Sequence, residues 1–229
     1  MGKVERVITA SAGNHAQGVA YSAKKLRLKA SIVMPVTTPS IKVSAVKNLG
    51  AQVILVGDTY DEAYEHAIKL SKKPNYAFVH PYDDPDVIAG QGTIGKEILD
   101  QAGKDLDAVF VPVGGGGLLA GIGAYIKNLR PDVKIIGVEP EEAAGLYEAI
   151  KANRRVTLKQ VGLFVDGVAV KQVGKVTFPI INEWVDEVVT VSVDEICAAI
   201  EDIFHETRTI SEPAGALSLA GLKKLTKSK

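Results

Sequence analysis

The sequence predicts an α/β fold of parallel-sheet βα units arranged in two lobes, and three observations carry that reading. Short β-branched runs alternate with longer segments of helical period, the rhythm of strands buried on both faces between crossover helices. Two apolar strands run into joints of small residues before a helical period begins, at Ser11-Ala12-Gly13-Asn14 and at Gly114-Gly115-Gly116-Gly117. The densest cluster of turn formers, His80-Pro81-Tyr82-Asp83-Asp84-Pro85-Asp86, marks a crossing between lobes. A smaller lobe is therefore expected over 1–84 and a larger one over 85–229.

In order, the first unit is a strand at 4–9, a turn at 11–14 and a helix over 15–28 with Val19, Ala23 and Leu26 on its apolar face. The second strand, 30–34, is stopped by Pro35, and Pro39 then opens a helix that ends at Gly50. A strand at 52–56, closed by Gly57-Asp58, leads to a helix over 60–72 and a short strand at 76–79. Beyond the turn cluster come a helix over 87–101, a strand at 108–113, a helix over 118–129 and a strand at 133–138. The stretch 141–174 shows little period apart from a helix at 145–151. A helix over 175–184, a strand at 187–191 and helices over 194–207 and 213–225 follow. There is no internal repeat beyond the βα rhythm and no low-complexity segment.

The composition, 46% hydrophobic and 24% charged over 229 residues, is that of an ordinary globular chain able to bury a sizeable core. Lys plus Arg and Asp plus Glu each number 27, so no net field favours nucleic acid or an anionic membrane, and neither is expected as a partner. The lone cysteine, Cys197, sits in Ile196-Cys197-Ala198-Ala199-Ile200 and reads as a small buried hydrophobe in a reducing compartment. The first residues carry neither a signal peptide nor a transit peptide pattern, and the longest apolar runs fall far short of the roughly 20 residues that span a bilayer. A cytoplasmic location is expected, or an organelle if a targeting segment preceded Met1.

The strongest local signal is Val113-Gly114-Gly115-Gly116-Gly117-Leu118, where glycines join an apolar strand to a helix. Without side chains the backbone can approach a ligand closely, and the free N–H groups and dipole of a helix N-terminus favour an anion such as phosphate. A tight glycine turn is the plain alternative. A dinucleotide site is the sharper one, because Gly115, Gly117 and Ala120 fit G-x-G-x-x-A and Glu139 ends the next strand where a ribose-binding acid should stand. Against it, such a motif usually occupies the first βα turn of its domain, and here several units come first.

The second joint, Ser11-Ala12-Gly13-Asn14-His15-Ala16-Gln17, offers N–H groups suited to a carboxylate, and Asn14 an amide for a further ligand group. His15 is a general base, an anion contact or a surface residue of the first helical turn. In Ser211-Glu212-Pro213-Ala214-Gly215-Ala216, Ser211 can cap a helix with Pro213 near its start, which leaves Glu212 either functional or part of the cap. His66, His80, His205 and Asp166 stand alone, and no cluster has metal-ligand spacing, so no structural zinc is expected. The chain has no G-x-S-x-G and no Walker lysine pattern.

Taken in this order, Ser11-Ala12-Gly13-Asn14-His15-Ala16-Gln17, Gly90-Gln91-Gly92-Thr93, the four-glycine joint and Ser211-Glu212-Pro213-Ala214-Gly215-Ala216 resemble the threonine dehydratases, or threonine ammonia-lyases, over about residues 7–224. Serine racemases and serine dehydratases share versions of these motifs. Ile88-Ala89-Gly90-Gln91-Gly92-Thr93, Phe164-Val165-Asp166-Gly167-Val168-Ala169-Val170 and Asp194-Glu195-Ile196-Cys197-Ala198-Ala199 are similar to the biosynthetic form that opens isoleucine synthesis. The resemblance implies a fold-type II pyridoxal-phosphate enzyme of tryptophan-synthase-β-like architecture, working as a homo-oligomer. Its implied reaction is the dehydration and deamination of L-threonine, with L-serine the second candidate, to 2-oxobutanoate and ammonia in the threonine case.

The same resemblance implies that Gly114, Gly115, Gly116, Gly117 and Leu118 hold the cofactor phosphate and that Asn14 contacts the pyridine O3′. Ser11, Ala12, Gly13, Asn14 and His15 would hold the substrate carboxylate, and Glu212 would lie near the cofactor. In the family a Schiff-base lysine stands in S-F-K-x-R-G, some tens of residues before S-A-G-N-H. Lys3 is the one lysine upstream of Ser11 here, and no lysine of this sequence has that context. The S-G-A-N motif expected about thirty residues after Gly215 is absent as well. The chain is accordingly expected to be truncated at both ends of a catalytic domain, with unpaired edge strands and uncovered apolar faces, and inactive on its own. Two further expectations stand beside this: a dinucleotide-binding module, and a catalytically dead subunit that pairs with an intact homologue.

Overall fold

Parallel pairing follows from the βα rhythm, because a chain returns to the same end of a sheet only after a crossover. A computed structural model describes residues 4–227, so Lys3 lies outside the described residues. The chain divides into two units, Met1–Pro81 and Tyr82–Lys229.

The first unit contains β1 (Arg6–Ala10), α1 (Asn14–Lys25), β2 (Lys29–Met34), α2 (Ser40–Asn48), β3 (Gln52–Leu55), α3 (Tyr60–Ser71) and β4 (Tyr76–Phe78). Its four strands are parallel in the order β3-β2-β1-β4, with Val7 opposite both Ala30 and Ala77. Side chains alternate along β2: Ala30, Ile32 and Met34 pack with Ala16, Val19, Ala20 and Ala23 of α1 and with Val43 and Val46 of α2. Val33 points to the opposite face with Ile8 and Ala10, under Ala63 and Ala67 of α3. The order reverses direction at β1, which places the joint after β1 at a topological switch point, where open α/β sheets bind ligands.

α1 ends earlier than its apolar period suggests. Arg27 adopts φ +57°, Leu28 N–H donates to the Ala23 carbonyl and Arg27 N–H to that of Lys24, the paired bonds of a Schellman turn. Leu26 is left 70% exposed, off the apolar face on which the sequence placed it. A left-handed turn closed by arginine rather than glycine carries strain. Arg27→Gly is therefore expected to stabilise the unit by about 0.5–1 kcal/mol, read as a higher thermal midpoint by circular dichroism.

The second unit contains α4 (Pro85–Ala102), β5 (Ala108–Pro112), α5 (Gly117–Leu129), β6 (Lys134–Pro140), α6 (Gly145–Lys151), α7 (Thr177–Trp184), β7 (Glu187–Val191), α8 (Val193–Thr207) and α9 (Pro213–Lys227). β5-β6-β7 form a parallel sheet, with Phe110 opposite Ile136 and Val138 opposite Val189. One face is covered by Leu119, Ile122 and Ile126 of α5 with Phe178 and Ile181 of α7, and the other by Ile196 and Ala199 of α8 with Ala216, Leu217 and Ala220 of α9. Asp84 begins α4 by accepting the N–H groups of Asp86 and Val87 on its carboxylate, ahead of Pro85. Ser192 and Glu195 form a capping box at the start of α8.

Cys197 corrects an expectation, because its side chain is exposed. The inward face of α8 runs through Ile196, Ala199, Ile200 and Ile203 at helical spacing, and Cys197 lies about 100° round from Ile196. No helix among the described residues is long and apolar enough to cross a membrane.

Candidate functional site

The glycine joint of the second unit is shaped by close packing. Val113 N–H continues the ladder to the Val138 carbonyl at 2.9 Å, and the chain then turns through Gly116 at φ +92° into α5. A Cβ on Gly115 would stand 2.2 Å from the Tyr82 ring, one on Gly116 2.7 Å from Ile181 Cδ1, and one on Gly117 2.9 Å from the Tyr82 carbonyl oxygen. Packing thus explains why these residues are glycines. It does not explain their donors: among the described residues, the N–H groups of Gly114, Gly115, Gly116, Gly117 and Leu118 donate to no protein acceptor. Gly115, Gly116 and Gly117 are buried, where an unclaimed N–H is costly unless a ligand or water completes it. Five such donors stand at the positive end of a 13-residue helix, an arrangement whose chemistry suits an anion.

The joint is braced from α7. The Gly115 carbonyl accepts from Gly174 N–H at 3.0 Å and from Thr177 Oγ1 at 2.8 Å. Asp83 in turn accepts the N–H groups of Lys175, Val176 and Thr177 at 2.8, 2.7 and 3.3 Å. These residues were not singled out from the sequence. Asp83 lay inside a cluster read only as turn formers, and its partners stand more than ninety positions away.

A Cβ on Gly114 would meet Val168 Cα at 3.1 Å, and one on Gly167 would meet Ala214 Cβ at 3.0 Å. The short helical turn Asp166–Val168 therefore links the joint to the start of α9. There the capping position belongs to Glu212, whose carbonyl accepts the N–H groups of Gly215 and Ala216. This corrects the reading of Ser211 as the cap, since Ser211 Oγ donates to the Glu212 carbonyl at 3.0 Å. The Glu212 side chain is exposed.

In the first unit the joint after β1 is held by Ser11, whose N–H donates to the Val33 carbonyl and whose Oγ accepts from Gly13 N–H at 3.2 Å. Gly13 and Asn14 are exposed at the start of α1. His15 turns inward instead, its Nε2 lying 3.0 Å from Thr9 Oγ1 and 3.3 Å from the Val79 carbonyl. Burial pushes its pKa below the ordinary histidine value, against the opposing effect of the Val79 carbonyl. A neutral imidazole committed to these partners leaves the main-chain N–H of His15, rather than its ring, as the group suited to a carboxylate.

Glu139 does not stand as a ribose-binding acid. Its carboxylate is 1% exposed, and its two oxygens accept from Leu146 N–H and Tyr147 N–H, each at 2.8 Å, closing the start of α6. Burial pushes its pKa up to about 7 despite those two bonds. The acid that completed the dinucleotide pattern is thus occupied inside the fold. His80 stacks edge-on with Tyr64 and Phe78, while His66 and His205 lie on α3 and α8. Among the described residues no group of three or more His, Cys, Asp or Glu is arranged to hold a metal ion.

Comparison with known proteins matches residues 1–229 to a family described as pyridoxal-phosphate dependent enzyme. The chain is 54% identical over 220 residues to the biosynthetic L-threonine dehydratase of Burkholderia multivorans, covering 95% of this chain and 43% of that protein. It is 59% identical over 215 residues to the chloroplastic biosynthetic threonine dehydratase of Arabidopsis thaliana, covering 94% and 36%. The chain thus spans less than half the length of these curated relatives. Among solved structures, the processed form of threonine deaminase isoform 2 from Solanum lycopersicum superposes with a TM-score of 0.92 at 52% identity, covering 95% of this chain and 63% of that one. Serine racemase from Dictyostelium discoideum gives 0.89 at 35% identity, covering 99% and 72%.

Proposed function

This chain belongs to the pyridoxal-phosphate dependent enzymes, and from that premise we propose that it carries the cofactor-phosphate and substrate-carboxylate joints of an L-threonine ammonia-lyase. The observation that carries the reading is the run of unclaimed N–H groups from Gly114 to Leu118. A dianionic phosphate ester fits that donor set, because successive main-chain N–H groups at a helix N-terminus offer it both donors and the positive end of the helix dipole. Bound there, pyridoxal phosphate supplies an electron sink for charge developing at the substrate α-carbon.

The chain's own residues bind and orient. The glycine joint holds the phosphate, and the N–H groups of the Ser11–His15 joint take a carboxylate. Asn14 presents its amide to the ring hydroxyl, and Glu212 contributes from the start of α9. In this reading a smaller lobe ends near residue 84 and a larger lobe begins near residue 85. L-Threonine is the proposed substrate and L-serine the second candidate, with 2-oxobutanoate and ammonia the products from threonine. Assembly as a homo-oligomer and a cytoplasmic or organellar location belong to the same proposal.

No lysine of this sequence has the S-F-K-x-R-G context. The 229-residue chain is therefore expected to bind pyridoxal phosphate reversibly and to form no 2-oxobutanoate from threonine. Borohydride reduction followed by peptide mass analysis tests this. The expected result is saturable binding without a unique modified lysine. Trapping at one lysine, or turnover, would contradict this division of roles, and binding of NAD but not of pyridoxal phosphate would replace the reading with the dinucleotide one.

A further inference from the structure

We infer that Thr177, and Asp83 acting through the start of α7, are positioning residues that aim the glycine joint at its phosphate. The inference rests on the reading above that Gly114 to Leu118 hold a phosphate group. A trans peptide carries its C=O and N–H in opposite directions. The Gly115 carbonyl is drawn toward α7 by two donors, Gly174 N–H and Thr177 Oγ1, at 3.0 and 2.8 Å. The N–H of Gly116, on the same peptide, must then point away from α7.

Four successive glycines do not hold such an orientation by themselves, since each can populate both signs of φ. A flipped 115–116 peptide would offer an anion a carbonyl oxygen in place of a donor. The pins therefore turn a flexible stretch into a preorganised one, and preorganisation is gained as affinity.

The two pinning donors are fixed in turn by Asp83. Its carboxylate gathers the N–H groups of Lys175, Val176 and Thr177, which lie between and upon the pinning residues. Gly174 is required beside it, because a Cβ there would stand 2.2 Å from Asp83 Oδ1 and 2.6 Å from Thr177 Oγ1. The Thr177 hydroxyl is 0% exposed, and a hydroxyl so placed is costly without its bond to Gly115. Tyr82, the neighbour of Asp83, packs against Gly115 and Gly117. Residues 82–83 thus touch the joint both directly and through α7.

The test uses the 229-residue chain and two aldehyde-free probes, 4-deoxypyridoxine 5′-phosphate and 4-deoxypyridoxine, which cannot react with surface lysines. Calorimetric titration compares wild type, Thr177→Val, Thr177→Ser and Asp83→Asn. Thr177→Val is expected to weaken the phosphorylated probe about fivefold, and Asp83→Asn about tenfold, as for loss of one neutral or one charge-assisted hydrogen bond. Thr177→Ser, which keeps the hydroxyl, should stay within about twofold of wild type. The unphosphorylated probe should bind all four proteins equally. Should Asp83→Asn fail to fold, the Val and Ser pair at 177 decides. Wild-type affinity for the phosphorylated probe in Thr177→Val, or equal loss of both probes, would overturn the inference. If wild type itself does not prefer the phosphorylated probe, the phosphate reading falls first and this inference falls with it.

Discussion

Gly121→Val is expected to destabilise the second unit by about 3 kcal/mol, the upper range for overpacking a close contact. A Cβ on Gly121 would lie 2.4 Å from the Ile88 carbonyl oxygen, 2.7 Å from Gly92 N and 3.0 Å from Gln91 C. All three are main-chain atoms of α4, so no rotamer change relieves the clash and the helices must separate. Gly92 and Gly95 complete the crossing from the other side, with virtual Cβ contacts of 3.2 Å to the Gly121 carbonyl and 3.3 Å to Tyr125 Cβ. Gly90, in the same helix, has nothing within 4 Å of its virtual Cβ. Gly90→Ala should therefore stabilise by about 0.5–1 kcal/mol, as an ordinary helix-interior glycine does. Trp184, the single tryptophan, lies in this unit and reports urea unfolding of both variants. Equal midpoints for the two would contradict the close-crossing account.

The second large effect is a pH dependence placed on Glu139. In the fold its carboxyl keeps a proton up to about pH 7, chiefly through burial, whereas an ordinary glutamate releases it near 4.5. A raised folded-state pKa stabilises in the protonated form. The contribution is fully present below about pH 4.5 and is lost as pH rises through 7, a span of about 3 kcal/mol. Glu139→Gln keeps the shape and one acceptor but does not titrate. Unfolding free energies at pH 4.5 and 7.5 should thus show a wild-type loss on going to the higher pH that the variant lacks. The same difference between the two pH values in both proteins would contradict it.

What could be read from the sequence was what is written in local pattern. The β-branched runs that became β2 and β7 carry their own signals within a few residues. The glycine joint was legible for the same reason, since strand, glycines and helix are contiguous.

The remainder depended on partners far along the chain. Asp83 meets α7 across more than ninety residues, and nothing near it marks that use. The irregular stretch before α7 has no period because it is tied by side chains, with Arg155 donating to the Val173 carbonyl and to Gln172. Glu139 fitted a ribose-binding pattern by position alone, and only the fold shows its oxygens closed on α6. Gly90-Gln91-Gly92-Thr93 was read as a family motif, and Gly92 proves to be the seat of a helix crossing. Cys197 was placed on the wrong face by hydrophobicity, because its neighbours Ile196 and Ala199 already complete the buried stripe of α8.

The central claim is that the N–H groups of Gly114 to Gly117 receive a phosphate. Amide spectra of the chain labelled with 15N-glycine, recorded during titration with pyridoxal phosphate and separately with pyridoxal, test it most directly. The account predicts that these four glycine N–H signals move with the phosphorylated ligand, saturate at one equivalent, and stay in place with pyridoxal. Saturable binding that leaves all four unmoved would contradict it.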